Sequence, residues 1–122
     1  MKILGIDDNK DLLSLCEIAL SSEGHEYTGI NNAREGLQAI KDKKFDIVLL
    51  DLAMPEFSGA DVIDALVKEG IIKKQKVIIF TASSATEEEY GPLLEKGANS
   101  ILKKPLDIDV LLETIKKIGS ED

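Results

Sequence analysis

Asp51 ends the apolar run Phe45-Asp46-Ile47-Val48-Leu49-Leu50, and Asp7 and Asp8 follow the run Lys2-Ile3-Leu4-Gly5-Ile6 in the same way. Thr81 follows Val77-Ile78-Ile79-Phe80, and Lys104 follows Ser100-Ile101-Leu102-Lys103. If these runs are strands of one parallel sheet, three carboxylates, a hydroxyl and an ammonium collect at one of its edges. Carboxylates bind a hard divalent cation through oxygen, whereas a lysine and a hydroxyl bind phosphate; together they point to phosphoryl chemistry.

Positioning these groups requires a sheet whose strands all end on the same side. Short Val- and Ile-rich runs alternate here with segments of helical period, the pattern of a parallel sheet covered by helices on both faces. Strands are expected near 2–6, 26–30, 46–50, 76–80 and 100–103, and helices near 9–22, 33–43, 59–69, 86–96 and 107–118. The last helix is the clearest, because Ile108, Leu111, Leu112, Ile115 and Ile118 recur at one-turn spacing. Asn32 reads as an N-cap, Gly70 and Gly97 as helix stops, and Thr86-Glu87-Glu88-Glu89 as a capping box. Gly5 within the first strand reads as relief of close packing.

The fold class is therefore α/β, a doubly wound five-stranded parallel sheet with five helices. In such sheets ligands sit beyond the carboxyl ends of the strands, where the winding reverses. The second strand ends in Gly29-Ile30-Asn31-Asn32, without comparable chemistry, which places it at an edge and the first strand beside the third. The order 2-1-3-4-5, that of flavodoxin-like folds, follows.

Composition limits the function. At 122 residues, 43% hydrophobic and 31% charged, the chain is expected to form a single domain over 1–122, with no second, output domain. No apolar stretch approaches the ~20 residues of a membrane span, and Met1-Lys2 leads into a strand pattern without a secretory h-region. A cytoplasmic location is expected. A net charge of -8 disfavours direct binding to nucleic acid or anionic membrane and points to protein partners. The single cysteine, Cys16, shares an apolar helix side with Leu12, Leu15 and Ala19 and reads as a small core residue. His25, the one histidine, reads as a solvated turn residue.

The residues also resemble a known family, the receiver domains of two-component response regulators, in particular the single-domain chemotaxis type. The resemblance spans essentially the whole chain and rests on Asp7-Asp8, Asp51 with Met54-Pro55, Thr81-Ala82 and Lys104-Pro105 at successive strand ends. It implies that Asp51 is a phosphoacceptor, taking a phosphoryl group from a phosphohistidine of a partner histidine kinase. It also implies a Mg2+ ion ligated by Asp8, Asp51 and the backbone carbonyl of Ala53, with Asp7 acting chiefly through bound water. Lys104 would meet a phosphoryl oxygen, and Thr81 would offer its hydroxyl to the new phosphate and draw its loop inward. Lys103 reads as a surface residue, and Pro55 as the setter of a turn.

Two positions depart from the family pattern. Ile101 stands where many relatives carry an aromatic switch residue three positions before the lysine. Gly91-Pro92 falls inside the fourth helix, where a proline costs ~3 kcal/mol and predicts a kink or break. Taken singly, Asp8 could merely cap the first helix, Thr81 could be a turn hydroxyl and Lys104 a solvated cation. A phosphorelay intermediate that hands the group to a histidine phosphotransfer protein is an open alternative to a stand-alone switch. An aspartate-nucleophile phosphohydrolase is weaker, since it calls for Asp-x-Asp after the first strand rather than adjacent acids. A flavodoxin is weaker still, because Asp7-Asp8-Asn9-Lys10-Asp11 would repel the cofactor phosphate.

Overall fold

Ile47, Val48, Leu49 and Leu50 form an uninterrupted apolar run, a composition that is stable only where both faces of a strand are covered. In the computed structural model, which describes residues 1–121, all of them are buried in the central strand. The strands are β1 (Lys2–Ile6), β2 (Glu26–Ile30), β3 (Ile47–Asp51), β4 (Lys76–Thr81) and β5 (Ser100–Lys103). All pair in parallel, in the order β2-β1-β3-β4-β5. The helices are α1 (Lys10–Ser22), α2 (Ala33–Asp42), α3 (Gly59–Lys68), α4 (Glu87–Lys96) and α5 (Ile108–Gly119). A short 3-10 helix, Ile71–Lys73, precedes β4 and has no counterpart in the sequence-based reading.

Alternation along each strand divides the core into two layers. Leu4, Ile6, Val48, Leu50, Val77 and Ile79 face Ile40 of α2, Val62, Ile63 and Leu66 of α3, and Leu93 of α4. Ile3, Ile47, Leu49, Ile78, Phe80 and Leu102 face Cys16 and Leu20 of α1 and Leu111, Ile115 and Ile118 of α5. Each large aliphatic side chain so covered contributes about 1.5–3 kcal/mol relative to exposure. The site is thus built on the ends of rigid, doubly covered strands.

Several local expectations are met. Asn32 accepts from the Glu35 amide at 3.0 Å as the N-cap of α2, and Gly70 and Gly97 end their helices with positive φ. Cys16 is buried, and burial pushes its thiol pKa up to about 11, so it stays protonated and inert at neutral pH. A side chain on Gly5 would collide with the ring of Tyr27, whose hydroxyl is buried with no hydrogen-bond partner among the described residues. His25 lies in the α1–β2 turn, half-buried, with Nδ1 3.0 Å from the Met1 amino group.

Three expectations need correction. Leu15 is not on the covered side of α1 with Cys16: it is 43% exposed, and Ile18 is 71% exposed. Thr86 occupies the N-cap position of α4 but makes no side-chain cap bond; its carbonyl instead accepts from Glu89 and Tyr90. A reciprocal capping box forms at α3, where the Ser58 hydroxyl accepts from the Asp61 amide and the Asp61 carboxylate accepts from the Ser58 amide. Finally, α4 runs through Pro92 as one helix. Pro92 lies mid-helix on the exposed side, and the carbonyl whose bond it forfeits belongs to the exposed Glu88, where water can reach it.

Candidate functional site

Strand register brings the polar residues together. Ile6 lies beside Leu50, so Asp7 and Asp51 leave neighbouring strands at the same level, and Asp51 in turn lies beside Phe80. Thr81 pairs with Lys103, which sets Lys104 next to it, and the Lys104 amide donates to the Thr81 carbonyl at 2.8 Å. Asp51 and Thr81 are the last residues of their strands rather than the first of the following loops. Their backbones are held by the sheet at the edge where ligands sit in such folds.

Asp7 and Asp51 are each only 2% exposed, whereas Asp8 is exposed. Lys104 Nζ lies 3.1 Å from Asp51 Oδ1 and 3.3 Å from Asp7 Oδ2, so one ammonium bridges both buried acids. Burial first, and then the Asp7 charge, holds the Asp51 carboxyl above the usual range, although Lys104 works the other way. For Lys104 burial disfavours the charge, but Asp51 and Asp7 outweigh it and raise the ammonium pKa. One carboxylate oxygen from each of Asp7, Asp8 and Asp51 lies within 4.8 Å of the others. Three hard oxygen donors converging in this way suit a divalent cation such as Mg2+.

Residues not singled out in the sequence complete the cradle. Asn9 caps α1 through Oδ1, 3.0 and 3.2 Å from the Asp11 and Leu12 amides, and its own amide donates to Asp7 Oδ1 at 2.9 Å. Capping therefore falls to Asn9 and leaves Asp8 uncommitted. Its signal was available, since Asn before a periodic segment is a common N-cap. Gly59 brings α3 so close to β3 that a Cβ there would collide with the Asp51 carbonyl and stand 2.8 Å from Leu52 Cα. No local pattern announces such an approach. The Ala53 amide lies 3.4 Å from Asp51 Oδ1, and Ala53 itself is exposed at the crevice.

The loop after Asp51 turns sharply, as Pro55 suggested. The Phe57 amide donates to the Pro55 carbonyl at 2.7 Å around Glu56, whose φ is 65°, an uncommon conformation for a non-glycine residue. Arg34 of α2 stacks its guanidinium 4.4 Å from the centre of the Phe57 ring and fastens this loop to the neighbouring helix. On the other flank, Lys103 is exposed and its Nζ lies 5.9 Å from the centre of the Tyr90 ring in α4. Ile101 is half-buried against the α2–α3 side of the core.

Comparison with known proteins agrees with this fold. The sequence model of the response regulator receiver domain matches residues 3–116. The chain is 32% identical to the uncharacterized transcriptional regulatory protein YkoG of Bacillus subtilis, over 93% of this chain but 49% of that protein. It thus spans about half the length of that relative. With the protein PilH of Pseudomonas aeruginosa it shares 30% identity over 96% of both chains. Among solved structures, the response regulator protein TrrA of Thermotoga maritima, in complex with Mg(2+)-BeF, superposes with a TM-score of 0.81 at 30% identity, covering 96% of this chain and 97% of that one. The chain belongs to the response regulator receiver domain family, a family of two-component signalling proteins.

Proposed function

We propose that the protein is a phosphorylation switch in which Asp51 accepts a phosphoryl group from a histidine kinase and the modified protein changes its affinity for a protein target. The observation that carries this reading is the Lys104 ammonium bridging Asp51 and Asp7 beside the exposed acid Asp8. In the transfer, an Asp51 carboxylate oxygen forms a bond to phosphorus while the phosphorus–nitrogen bond of the phosphohistidine breaks. The imidazole leaves with the bonding pair and takes a proton from solvent. A carboxylate needs no general base to act as nucleophile, so the protein's task is positioning and charge neutralisation.

Asp8, Asp51 and the Ala53 carbonyl would hold Mg2+, with Asp7 acting chiefly through a bound water. The ion neutralises phosphoryl charge when bound. Lys104, already poised between two carboxylates, moves from Asp51 Oδ1 to a phosphoryl oxygen. The Thr81 hydroxyl, at the end of a strand hydrogen-bonded to Lys104, donates to the same group. TrrA, a relative of similar structure, is known in complex with Mg(2+)-BeF, which supports a divalent site here. The protein catalyses nothing beyond its own phosphorylation and dephosphorylation. We take it to act in the cytoplasm.

Incubation with a small acyl phosphate and Mg2+, followed by intact-mass spectrometry, tests this. One added phosphoryl group is expected, absent in Asp51→Ala and absent without the metal. Equal labelling of Asp51→Ala would overturn the assignment.

A further inference from the structure

A second charged surface lies at the opposite end of the sheet from Asp51. The start of β4, the 3-10 helix before it and the end of α4 enclose a groove of about 420 Å3. Its floor is aliphatic, built from Val67, Ile72 and the Gly97 backbone, and Val67 is 42% exposed there. Its rim is cationic: Lys73, Lys74, Lys76 and Lys96 all line it, in a chain whose acids outnumber its cations 23 to 15.

Two acids beside the groove are already engaged. Asp64 binds Lys96 at 2.7 Å, and Glu69 binds Lys41 at 2.8 Å. Lys76 donates to the Glu121 carbonyl. Lys73 and Lys74 have no carboxylate partner among the described residues. The walls are also fixed in place. Buried Gln75 donates to the Phe45 and Lys76 carbonyls, at 3.1 Å each, and Asn99 exchanges two bonds with the Val77 backbone at 2.8 and 2.9 Å. A groove ordered in advance loses little entropy when it is filled.

We propose that this groove docks an acidic segment of a partner protein, seating one apolar side chain on Val67 and Ile72 between carboxylates that meet Lys73 and Lys74. The cationic rim supplies the charge complementarity, and the aliphatic floor selects a peptide over a nucleic acid. The lining contains no aromatic ring on which a base could stack and no arginine. Because the groove lies beyond the amino ends of the strands, it can be filled while Asp51 is open to its donor. It would tether a partner independently of phosphorylation.

Fluorescence anisotropy with a short labelled peptide of Asp and Glu around a central Leu tests the proposal, alongside a Leu→Ser peptide, a charge-reversed peptide and a short single-stranded DNA. The acidic leucine peptide is expected to bind, more weakly as salt rises. Its affinity should fall by about tenfold, or about 1.4 kcal/mol, in the Lys73→Glu/Lys74→Glu variant, with a comparable loss for the Leu→Ser peptide. The same variant should melt normally and be labelled by the acyl phosphate at the wild-type rate. Absence of binding at millimolar peptide, equal binding by the double variant, or tighter binding of the DNA would overturn it.

Discussion

Asp51 owes its raised pKa to burial first and to Asp7 second, which couples the site to pH in a definite direction. In the unfolded chain this carboxyl titrates near 3.8, whereas in the folded protein it holds its proton to a higher pH. Between those two values the folded state binds more protons, so stability falls as pH rises through the window and the cost persists above it. Asp51→Asn should therefore raise the melting temperature of the chelator-treated protein at neutral pH and flatten its weakly acidic slope in a melting-versus-pH series. Lys104 has the opposite sense: its raised pKa gives stability at neutral pH that is lost as pH climbs through the folded value, above the usual 10.5. In the proposed switch, Thr81 would carry the output. Phosphate must favour the active state by ~5.5 kcal/mol to move a population from 1:99 to 99:1, and its hydroxyl is the local group able to couple phosphate to the strand end. Thr81→Ala should still be labelled at Asp51 but lose most of the phosphorylation-dependent change in partner affinity by calorimetry. Ile101→Val, with no ring to lose, should be nearly silent in the same assay.

Helices and strands differ in how plainly their sequences announce them. A strand covered on both faces shows its burial as a continuous apolar run, so the strand ranges were legible to within a residue, and with them the row of polar residues at their ends. Helix α1 was less legible because Leu12, Leu13, Leu15 and Ile18 encircle it, and periodicity cannot say which of them tertiary packing will cover. The α4 cap misled for a related reason. Thr86 and Glu89 have the right types and spacing, yet the first turn closes through the Thr86 carbonyl instead. Gly59 was invisible because its requirement comes from another strand. Gly59→Ala should push against the Asp51 carbonyl and cost about 1–3 kcal/mol in denaturant unfolding, with slower labelling at Asp51. Gly91 of α4 is the contrasting case, since a Cβ there meets nothing nearer than Glu87 Cγ at 3.7 Å. Gly91→Ala should stabilise the protein by about 0.5–1 kcal/mol in the same measurement.

Over the whole molecule, the acids at the crevice store repulsion that a bound cation releases. A ligand that binds only the folded state at a hundred times its dissociation constant adds about 2.7 kcal/mol, so saturating Mg2+ should visibly raise the melting temperature in calorimetry. Asp8→Ala should abolish most of that increase, while raising the metal-free value because one like charge is gone. A melting curve indifferent to millimolar Mg2+ would contradict the metal site. The placement of the aromatic residues has a further consequence, an optical one. The chain has two tyrosines and no tryptophan. Tyr27 is sealed over Gly5 with a hydroxyl that bonds to nothing described, so Tyr27→Phe discards a polar atom without orphaning a partner and should leave stability unchanged or slightly higher. What remains is a single fluorophore, Tyr90, lying beneath the Lys103 ammonium one residue from Lys104. The emission of that variant would come from the flank of the phosphoryl site alone, giving a label-free reporter through which the switch could be timed in a stopped-flow instrument.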